Sequence, residues 1–398
     1  MSSSYVLVVN AGSSSLKYSL VEGETGDAPA AGSVERIGES TGRLKHENEG
    51  GEQTQERPFP DHEDALRAAL DAFEQHGPSL DDAEVVAVGH RVVHGGERFS
   101  APTLIDDDVV AAVESLVPLA PLHNPANLEG IAVARKLFPD LPQVAVFDTA
   151  FHQTMPPVSF TYAVPRSWLA DHHIRRYGFH GTSHAYVARE AARAIGKPVE
   201  DANVIVLHLG NGASATAVRG GISVDTSMGL TPLEGLVMGT RSGDLDPALH
   251  MHLHRSLGWS LDDIDRALNR ESGLKGLAGN NDFREVMGLR AGGDAAAALA
   301  FDVYCSRIRK YVGAYYAVLG TVDAVVFTAG VGEHNPELRS AALSGLSRLG
   351  IELDPGRNEG PISGATLVSA DSSDVAVLVV PTNEEYEIAR QALEVVRS

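Results

Sequence analysis

NVIVLHLGNGASATAVRGGISVDT, residues Asn203–Thr226, is the stretch whose reading decides the fold. Four consecutive apolar residues, Val204–Leu207, run up to a turn signal at Gly210-Asn211-Gly212, the pattern of a fully buried strand. A second strand is predicted over Ser214–Val218, a turn at Gly220-Gly221, and then the start of a third strand. Glycines in such a turn let the backbone approach a ligand and point N–H groups at it, and the usual visitor is an anion such as phosphate. Taken alone, the stretch is equally readable as an ordinary hairpin.

The N-terminus repeats the pattern. VLVVNAGSSSLKYSLVEG from Val6 lies against VIVLHLGNGASATAVRGG from Val204 without a gap. Each has an apolar strand, a polar residue (Asn10 or His208), a glycine (Gly12 or Gly210), small residues and a second strand. A third piece, the strand Ala324–Thr328 followed by Ala329-Gly330-Val331-Gly332-Glu333, reads the same way. An internal repeat at this separation predicts two homologous halves, each opening with a phosphate-type hairpin, and one nucleotide held between two lobes.

The chain has 398 residues, enough for two or three domains with substantial cores. Its formal net charge of −21 disfavours nucleic acid or an anionic membrane as partner but not ATP, which needs only a few local cations and a metal. Cys305 is the only cysteine, so neither an intrachain disulfide nor a thiolate cluster is available, and a core role within a helix is expected. Tyr5–Val9 is too short for a signal-peptide core, and no apolar run approaches a membrane span. The expectation is a cytoplasmic enzyme.

In chain order, Glu22–Asp82 is expected to hold solvated hairpins and one packed helix, Asp61–Gln75, stopped by Gly77-Pro78. A strand over Glu84–Gly89 leads into His90-Arg91, where the arginine is placed either to meet an anion or to form a surface ion pair. Asn124 is read as the N-cap, and Pro125 as the first residue, of a helix beginning beside His123. Gln143–Phe147 is a strand ending at Asp148. Arginines and histidines gather in a loop from Arg175 to His184 ahead of a helix over Ala185–Ile195, with Thr182 or Ser183 as its cap and His180 unexplained. Loops follow at Met228–Asp246 and Gly276–Arg284 (GLAGNNDFR), then a long helix, Ala295–Leu319, whose Phe301, Tyr304, Ile308, Tyr311, Tyr315 and Leu319 are read as core. The last strand, Val375–Val380, leads to Glu384 at the start of the final helix.

Asn10, Arg91, Asp148, His208–Gly212, Gly330–Glu333 and Glu384 are each expected directly after a buried strand. In open α/β sheets, ligands bind beyond the carboxyl ends of the strands, so six such positions together amount to a site. Phosphoryl transfer needs a divalent metal, phosphate donors and cations for the transition-state oxygens. Glu384, Asp148 and the Asn10 amide oxygen suit magnesium. Arg91 and Arg241 suit a carboxylate or phosphoryl oxygens, His180 can donate to the same oxygens, and Lys17 can reach a phosphate. No Walker A, protein-kinase Asp-Phe-Gly, dinucleotide-binding, zinc-protease or serine-hydrolase motif is present.

Over essentially its whole length the chain resembles the acetokinase family. The matching stretches are VLVVNAGSSSLKYS, GHRVVHGGE, APLHNPANLEGI, VAVFDTAFHQTMP, RRYGFHGTSHAYV, HLGNGASATAVRGGISVDTSMGLTPLEGLVMGTRSGDLDP and PTNEE. The resemblance implies an α/β fold of two duplicated ribonuclease-H-like lobes of the actin-like ATPase kind with a nucleotide cleft between them, and a homodimer. It implies one lobe over 1–149 plus 384–398 and another over 150–383. The implied reaction is reversible, magnesium-dependent (or manganese-dependent) transfer of the ATP γ-phosphoryl group to acetate, giving acetyl phosphate and ADP.

Role by role, the resemblance assigns Asn10 and Glu384 to the metal, and Lys17 with His208, Leu209, Gly210, Asn211 and Gly212 to the ATP phosphates. Arg91 would take the acetate carboxylate, and Val93, Leu122, Phe179 and Pro232 its methyl group. Asp148 would be the essential acid, His180 and Arg241 the transition-state stabilisers. Asp282, Phe283, Arg284 and Gly330, Val331, Gly332, Glu333, His334 would line the adenosine site. Two departures lie there: the family usually has Gly-Gly-Ile-Gly-Glu-Asn at 329–334, and the loop before Asp282 is one residue short. The rival readings are a propionate or butyrate kinase on the same scaffold, a phosphoenzyme route through Glu384 or Asp148, and a non-catalytic ATP-binding switch, which would not need Arg91, His180 and Arg241 together.

Overall fold

A computed structural model describes residues 4–398. The chain divides into two units, one running up to Gln153 and resuming at Asn383–Ser398, the other spanning Thr154–Thr382.

The first unit is built on an eight-stranded sheet: β1 (Tyr5–Gly12), β2 (Ser15–Glu22), β3 (Ala30–Glu35), β4 (Gly42–Asn48), β5 (Gly51–Arg57), β6 (Val85–Val92), β7 (Thr103–Leu104) and β8 (Gln143–Phe147). Their order is β5-β4-β3-β2-β1-β6-β8-β7, with β1, β6 and β8 parallel and the rest antiparallel. Strand alternation in β1 shows why the centre is stable. Leu7, Val9 and Ala11 face a core completed by the helix His62–His76 and by Val133 and Ala134. Val6 and Val8 face Ile388, Ala389, Ala392 and Leu393 of the final helix, Glu384–Arg397. A strand buried on both faces reads as an unbroken apolar run, which is how β1 appears in the sequence. Gly89 of β6 is small for a reason: a Cβ there would sit 2.9 Å from Ile388 Cγ2, so the final helix packs against bare backbone.

The second unit has six strands, β9 (Asn203–Leu209), β10 (Ala213–Arg219), β11 (Ile222–Thr226), β12 (Ala324–Thr328), β13 (Thr366–Leu367) and β14 (Ala376–Val379), ordered β11-β10-β9-β12-β14-β13. The helices Gly181–Ala194 and Ala295–Leu319 pack on this sheet. Of the stripe on the long helix, Phe301, Tyr304, Ile308, Tyr315 and Leu319 are buried with Cys305, whereas Tyr311 is half-buried and donates to Asp244 Oδ2 at 2.9 Å.

The two sheets share one plan. Three antiparallel strands (β3-β2-β1, β11-β10-β9) continue into two parallel ones (β6-β8, β12-β14). This is the duplication expected from the repeat and the ribonuclease-H-like arrangement implied by the resemblance. Its register is not gapless. Gly12 pairs with Ser15 around a two-residue turn, whereas Leu209 pairs with Ala213 around three residues, 210–212. Beyond the turn the halves are therefore one residue out of step, which exchanges the sheet faces of equivalent side chains.

Candidate functional site

In the first unit, polar residues gather at the carboxyl ends of β1, β6 and β8. Asn10, Arg91 and His208 were expected to follow their strands; they lie within the last residues of β1, β6 and β9, because ladder pairing extends further than the apolar runs. Asp148 does follow β8, and Glu384 opens the final helix. Arg91 binds Asp148 through a fork: Nε donates at 3.0 and 3.1 Å to the two carboxylate oxygens, and Nη2 donates at 2.7 Å. This is no surface pair, since Asp148 is 3% and Arg91 23% exposed at the side chain. The Asp148 charge raises the Arg91 pKa further above its ordinary value. Nη1 of Arg91 has no protein partner among the described residues, so one edge of the guanidinium remains for another acceptor.

Glu384 titrates high because burial disfavours its charge; Arg91 and Lys17 oppose this, and Asp148 adds to it. Lys17 is exposed on β2, opposite Asn10 in the hairpin. The helix Asn124–Leu137 fixes these turns by a route the sequence did not reveal. Asn124, expected to be an N-cap, occupies the first helical position. Its amide accepts from His94 N and donates to His94 O, while the cap position falls to His123. Asn127 accepts from Val93 N and donates to Ala11 O at 2.8 Å, tying the loop after β6 to the end of β1. Val93 is half-buried and Leu122 exposed.

In the second unit the helix expected to begin at Ala185 begins at Gly181, so Gly181–His184 form its first turn. Thr182 and Ser183 do not cap it. Ser183 Oγ instead lies 2.8 Å from both His208 Nδ1 and Thr382 Oγ1. His180 precedes the helix with φ 58°, a left-handed conformation that is costly for a residue with a Cβ and is held where structure demands it. Its ring stacks on His208 with centroids 4.3 Å apart, and its Nδ1 is 2.9 Å from Ser214 Oγ. A Cβ on Gly212 would lie 3.5 Å from His180 Cε1 and Nε2 and 3.6 Å from Arg241 Nη1, so both side chains border the glycine turn.

Arg241 is half-buried and donates to Pro232 O at 3.3 Å. It has no carboxylate partner among the described residues, and burial lowers its pKa. Gly239 N, in the same loop, donates to Asn211 O at 2.9 Å. Phe179 is buried and Pro232 half-buried. Of the arginines gathered at 175–176, Arg175 lies over Phe160, 3.6 Å from the ring centroid, and Arg176 is paired with Glu234. Their contacts hold the loop.

The third glycine piece does not match the other two. Ala329–His334 is a short helix after a strand parallel to β9, not a hairpin turn, because β12 is a crossover strand whose chain returns over the sheet. Ala329 enters it at φ 62°, in the left-handed region that favours glycine. Replacing Ala329 by Gly removes that strain, and we expect a gain of about 1 kcal/mol in unfolding free energy, read by denaturant titration. Beneath this turn lies Arg339, only 1% exposed. It donates to Gly332 O, Glu333 O and both oxygens of Asn358, and burial brings its pKa down to about 10. Four neutral acceptors and no carboxylate surround it, so it braces the turn with an uncompensated charge. Glu333 Oε1 accepts from Thr382 N at 3.2 Å, and His334 Nδ1 lies 2.9 Å from Gly330 O.

The segment expected as one loop over Gly276–Arg284 contains the end of a helix, Gly273–Ala278, and the start of another, Phe283–Ala291. Asp282 caps the latter and pairs with Arg284, whose hydrogen bonds bring the carboxyl pKa down to about 2. Phe283 is buried against Phe301 and Tyr304.

The side chains missed in the sequence are Ser214, Arg339 and Asn127; the sequence marks Ser183 as a cap and His184 only as part of the loop, not as the partners of His208 and Ser214. Ser214 and Thr216, hydroxyls at alternate positions of an alanine strand, carried the only local signal.

With this geometry in view, comparison with known proteins is informative. The pattern of the acetokinase family matches residues 5–390. The acetate kinase of Clavibacter michiganensis subsp. michiganensis (strain NCPPB 382) is 60% identical over 388 residues, 98% of each chain. That of Streptomyces coelicolor is 59% identical over 398 residues, all of this chain and 98% of the relative. Among solved structures, Porphyromonas gingivalis acetate kinase aligns with a TM-score of 0.94 at 44% identity, covering 99% of this chain and 100% of that one. A propionate kinase from Francisella tularensis subsp. tularensis SCHU S4 aligns with a TM-score of 0.93 at 42% identity, covering the same shares. The family pattern over residues 5–390, with relatives 59–60% identical over nearly the whole of both chains, places this chain in the acetokinase family.

Proposed function

We propose that this protein is an acetate kinase, transferring the γ-phosphoryl group of ATP reversibly to a carboxylate oxygen of acetate to give acetyl phosphate and ADP. The observation that carries the reading is the Arg91–Asp148 fork: it aligns a guanidinium whose remaining edge suits one small carboxylate. Acetate oxygen is already nucleophilic, so no strong base is required, and catalysis is positioning and charge stabilisation. Arg91 holds the acetate carboxylate through Nη1 and the second proton of Nη2, since Asp148 already takes Nε and the other Nη2 proton. Val93, Leu122, Phe179 and Pro232 bound its methyl group. Lys17 and the 208–212 turn take the ATP phosphates, His180 and Arg241 donate to the oxygens of the transferred group, and residues 282–284 and 330–334 serve the adenosine end.

The donor set fits magnesium or manganese. The Asp148 charge adds to the burial that disfavours the Glu384 charge, a tension that a divalent cation would relieve. Oxygen ligands few in number suit a hard cation that keeps waters and substrate phosphates. Glu384 and Asn10 would hold it, and when bound it would neutralise phosphate charge.

The deciding assay measures initial rates with MgATP and acetate, propionate or butyrate, trapping acyl phosphate as hydroxamate. Rates falling from acetate to butyrate are expected; no acyl phosphate from any acid would sink the catalytic reading. The similarity to a propionate kinase favours propionate as the second reading, and rates rising with chain length would establish it. Direct transfer predicts inversion at a chiral γ-phosphorus, whereas retention would point to a phosphoenzyme at Glu384 or Asp148. Replacing Gly212 by Ala adds a methyl at ordinary contact distance from His180 and Arg241, so the fold should survive. The methyl occupies phosphate space, and kcat/KM for ATP should fall on the order of a hundredfold.

The protein is proposed to work in the cytoplasm as a homodimer. No helix among the described residues is long and apolar enough to cross a membrane. Support for self-association comes from Leu249, Met251, Leu257, Trp259 and Leu261 (72% exposed), on the helices Ala248–Leu257 and Leu261–Arg270 and the turn between them. Leu261→Asp should shift the sedimentation coefficient towards the monomer.

A further inference from the structure

His180 and His184 stand four residues apart at the start of one helix, so their rings project to the same side. Both reach one atom. Ser214 Oγ, on β10 and fully buried, lies 2.9 Å from His180 Nδ1 and 2.7 Å from His184 Nε2. A hydroxyl carries one proton and can give it to only one of the two nitrogens. If the proton goes to His180 Nδ1, a neutral His180 carries its own proton on Nε2. That is the nitrogen beside Gly212, where a donor is needed for an anionic oxygen. If it goes to His184 instead, His180 donates through Nδ1, and a neutral ring turns a lone pair from Nε2 towards the anion. The two arrangements differ in whether His180 attracts or repels the transferred group.

We propose that Ser214 is a positioning residue that fixes His180 in its Nε2–H tautomer. Its proton is directed at His180 Nδ1, and its oxygen accepts the Nε2 proton of His184. His208, stacked on the other side of the His180 ring, holds the ring plane, and Ser183 and Thr382 anchor His208 in turn. The tautomer of one catalytic histidine is thus set by a second histidine through a serine. This rests on the role given to His180 under Proposed function.

The test uses full-length protein labelled with 15N at histidine, at a pH where imidazoles are neutral, with His180→Gln identifying the His180 signals. Long-range proton–nitrogen correlations should show His180 protonated at Nε2 in the wild type and an average of both tautomers in Ser214→Ala. In the same variant kcat should fall about tenfold, with KM for MgATP and acetate moving less than about twofold, as for a lost proton-holding contact. In a His180→Ala background, Ser214→Ala should cost nothing further. An unchanged tautomer in Ser214→Ala, or an equal loss in the His180→Ala background, would overturn the proposal. If His180→Ala alone left kcat intact, the role of His180 would fall, while the spectra would still decide what Ser214 does.

Discussion

Asp148→Asn is expected to lower kcat on the order of a thousandfold, the scale seen when one preorganised charge contact of a transition state is removed. Two effects combine. The carboxylate takes three hydrogen bonds from Arg91, and an isosteric amide keeps the shape but offers only one acceptor oxygen. Arg91 then loses both its neutralising charge and the geometry that presents its outer edge, so KM for acetate should rise as well. The second effect is on stability. Removing one partner of a fully buried ion pair costs about 3–5 kcal/mol, but Arg91 is 23% exposed and water can resolvate it, so a loss of about 2 kcal/mol is expected. Hydroxamate assays at saturating ATP and denaturant titrations measure the two separately. Activity within tenfold of wild type would show that the pair is structural only.

The sequence made the central hairpins legible because their signals are local: an apolar run, glycines, and a second run within eighteen residues. What depended on partners far along the chain was not legible. Asn124 looks like a helix cap, a local role, yet it bonds to His94 thirty positions earlier. Ser214 looks like one small residue among alanines, and its meaning appears only when the first turn of another helix delivers two imidazoles to it. The register slip between the halves was hidden because small residues fill both turns, so an alignment without a gap costs nothing in the sequence although it moves every later side chain to the opposite face. The turn after β12 misled for a related reason. Glycines mark both hairpins and strand-to-helix turns, and only the parallel pairing with β9 tells them apart. Arginines were the most ambiguous class. Of six that drew notice or proved important, Arg175 and Arg176 are packing and loop contacts, Arg339 braces a turn, Arg284 pairs with Asp282, and Arg91 and Arg241 are the two proposed to meet an anionic substrate.

Arg241→Ala is the second large effect, and its signature should differ from that of Asp148→Asn. Arg241 is the cation beside the glycine turn whose charge no carboxylate among the described residues answers, and burial already works against that charge, as its lowered pKa records. An unanswered, partly desolvated guanidinium is costly in the resting protein and most favourable when negative charge develops next to it. In the proposed reaction its contribution would therefore be largest in the transition state. Arginines placed in this way on transferring phosphoryl groups contribute about 10³–10⁵ in kcat, and a loss of at least about a thousandfold is expected here. Substrate KM values should change little, because the ground-state contacts proposed above lie elsewhere, with Arg91 for the carboxylate and the 208–212 turn for ATP. Stability should hold or rise slightly, since a half-buried charge whose contacts are a long one to Pro232 O and one to Met238 Sδ is removed. Added guanidinium ion at millimolar concentration should restore part of the lost rate in Arg241→Ala and none in Asp148→Asn. A large rise in acetate KM with kcat preserved would reassign Arg241 to substrate binding.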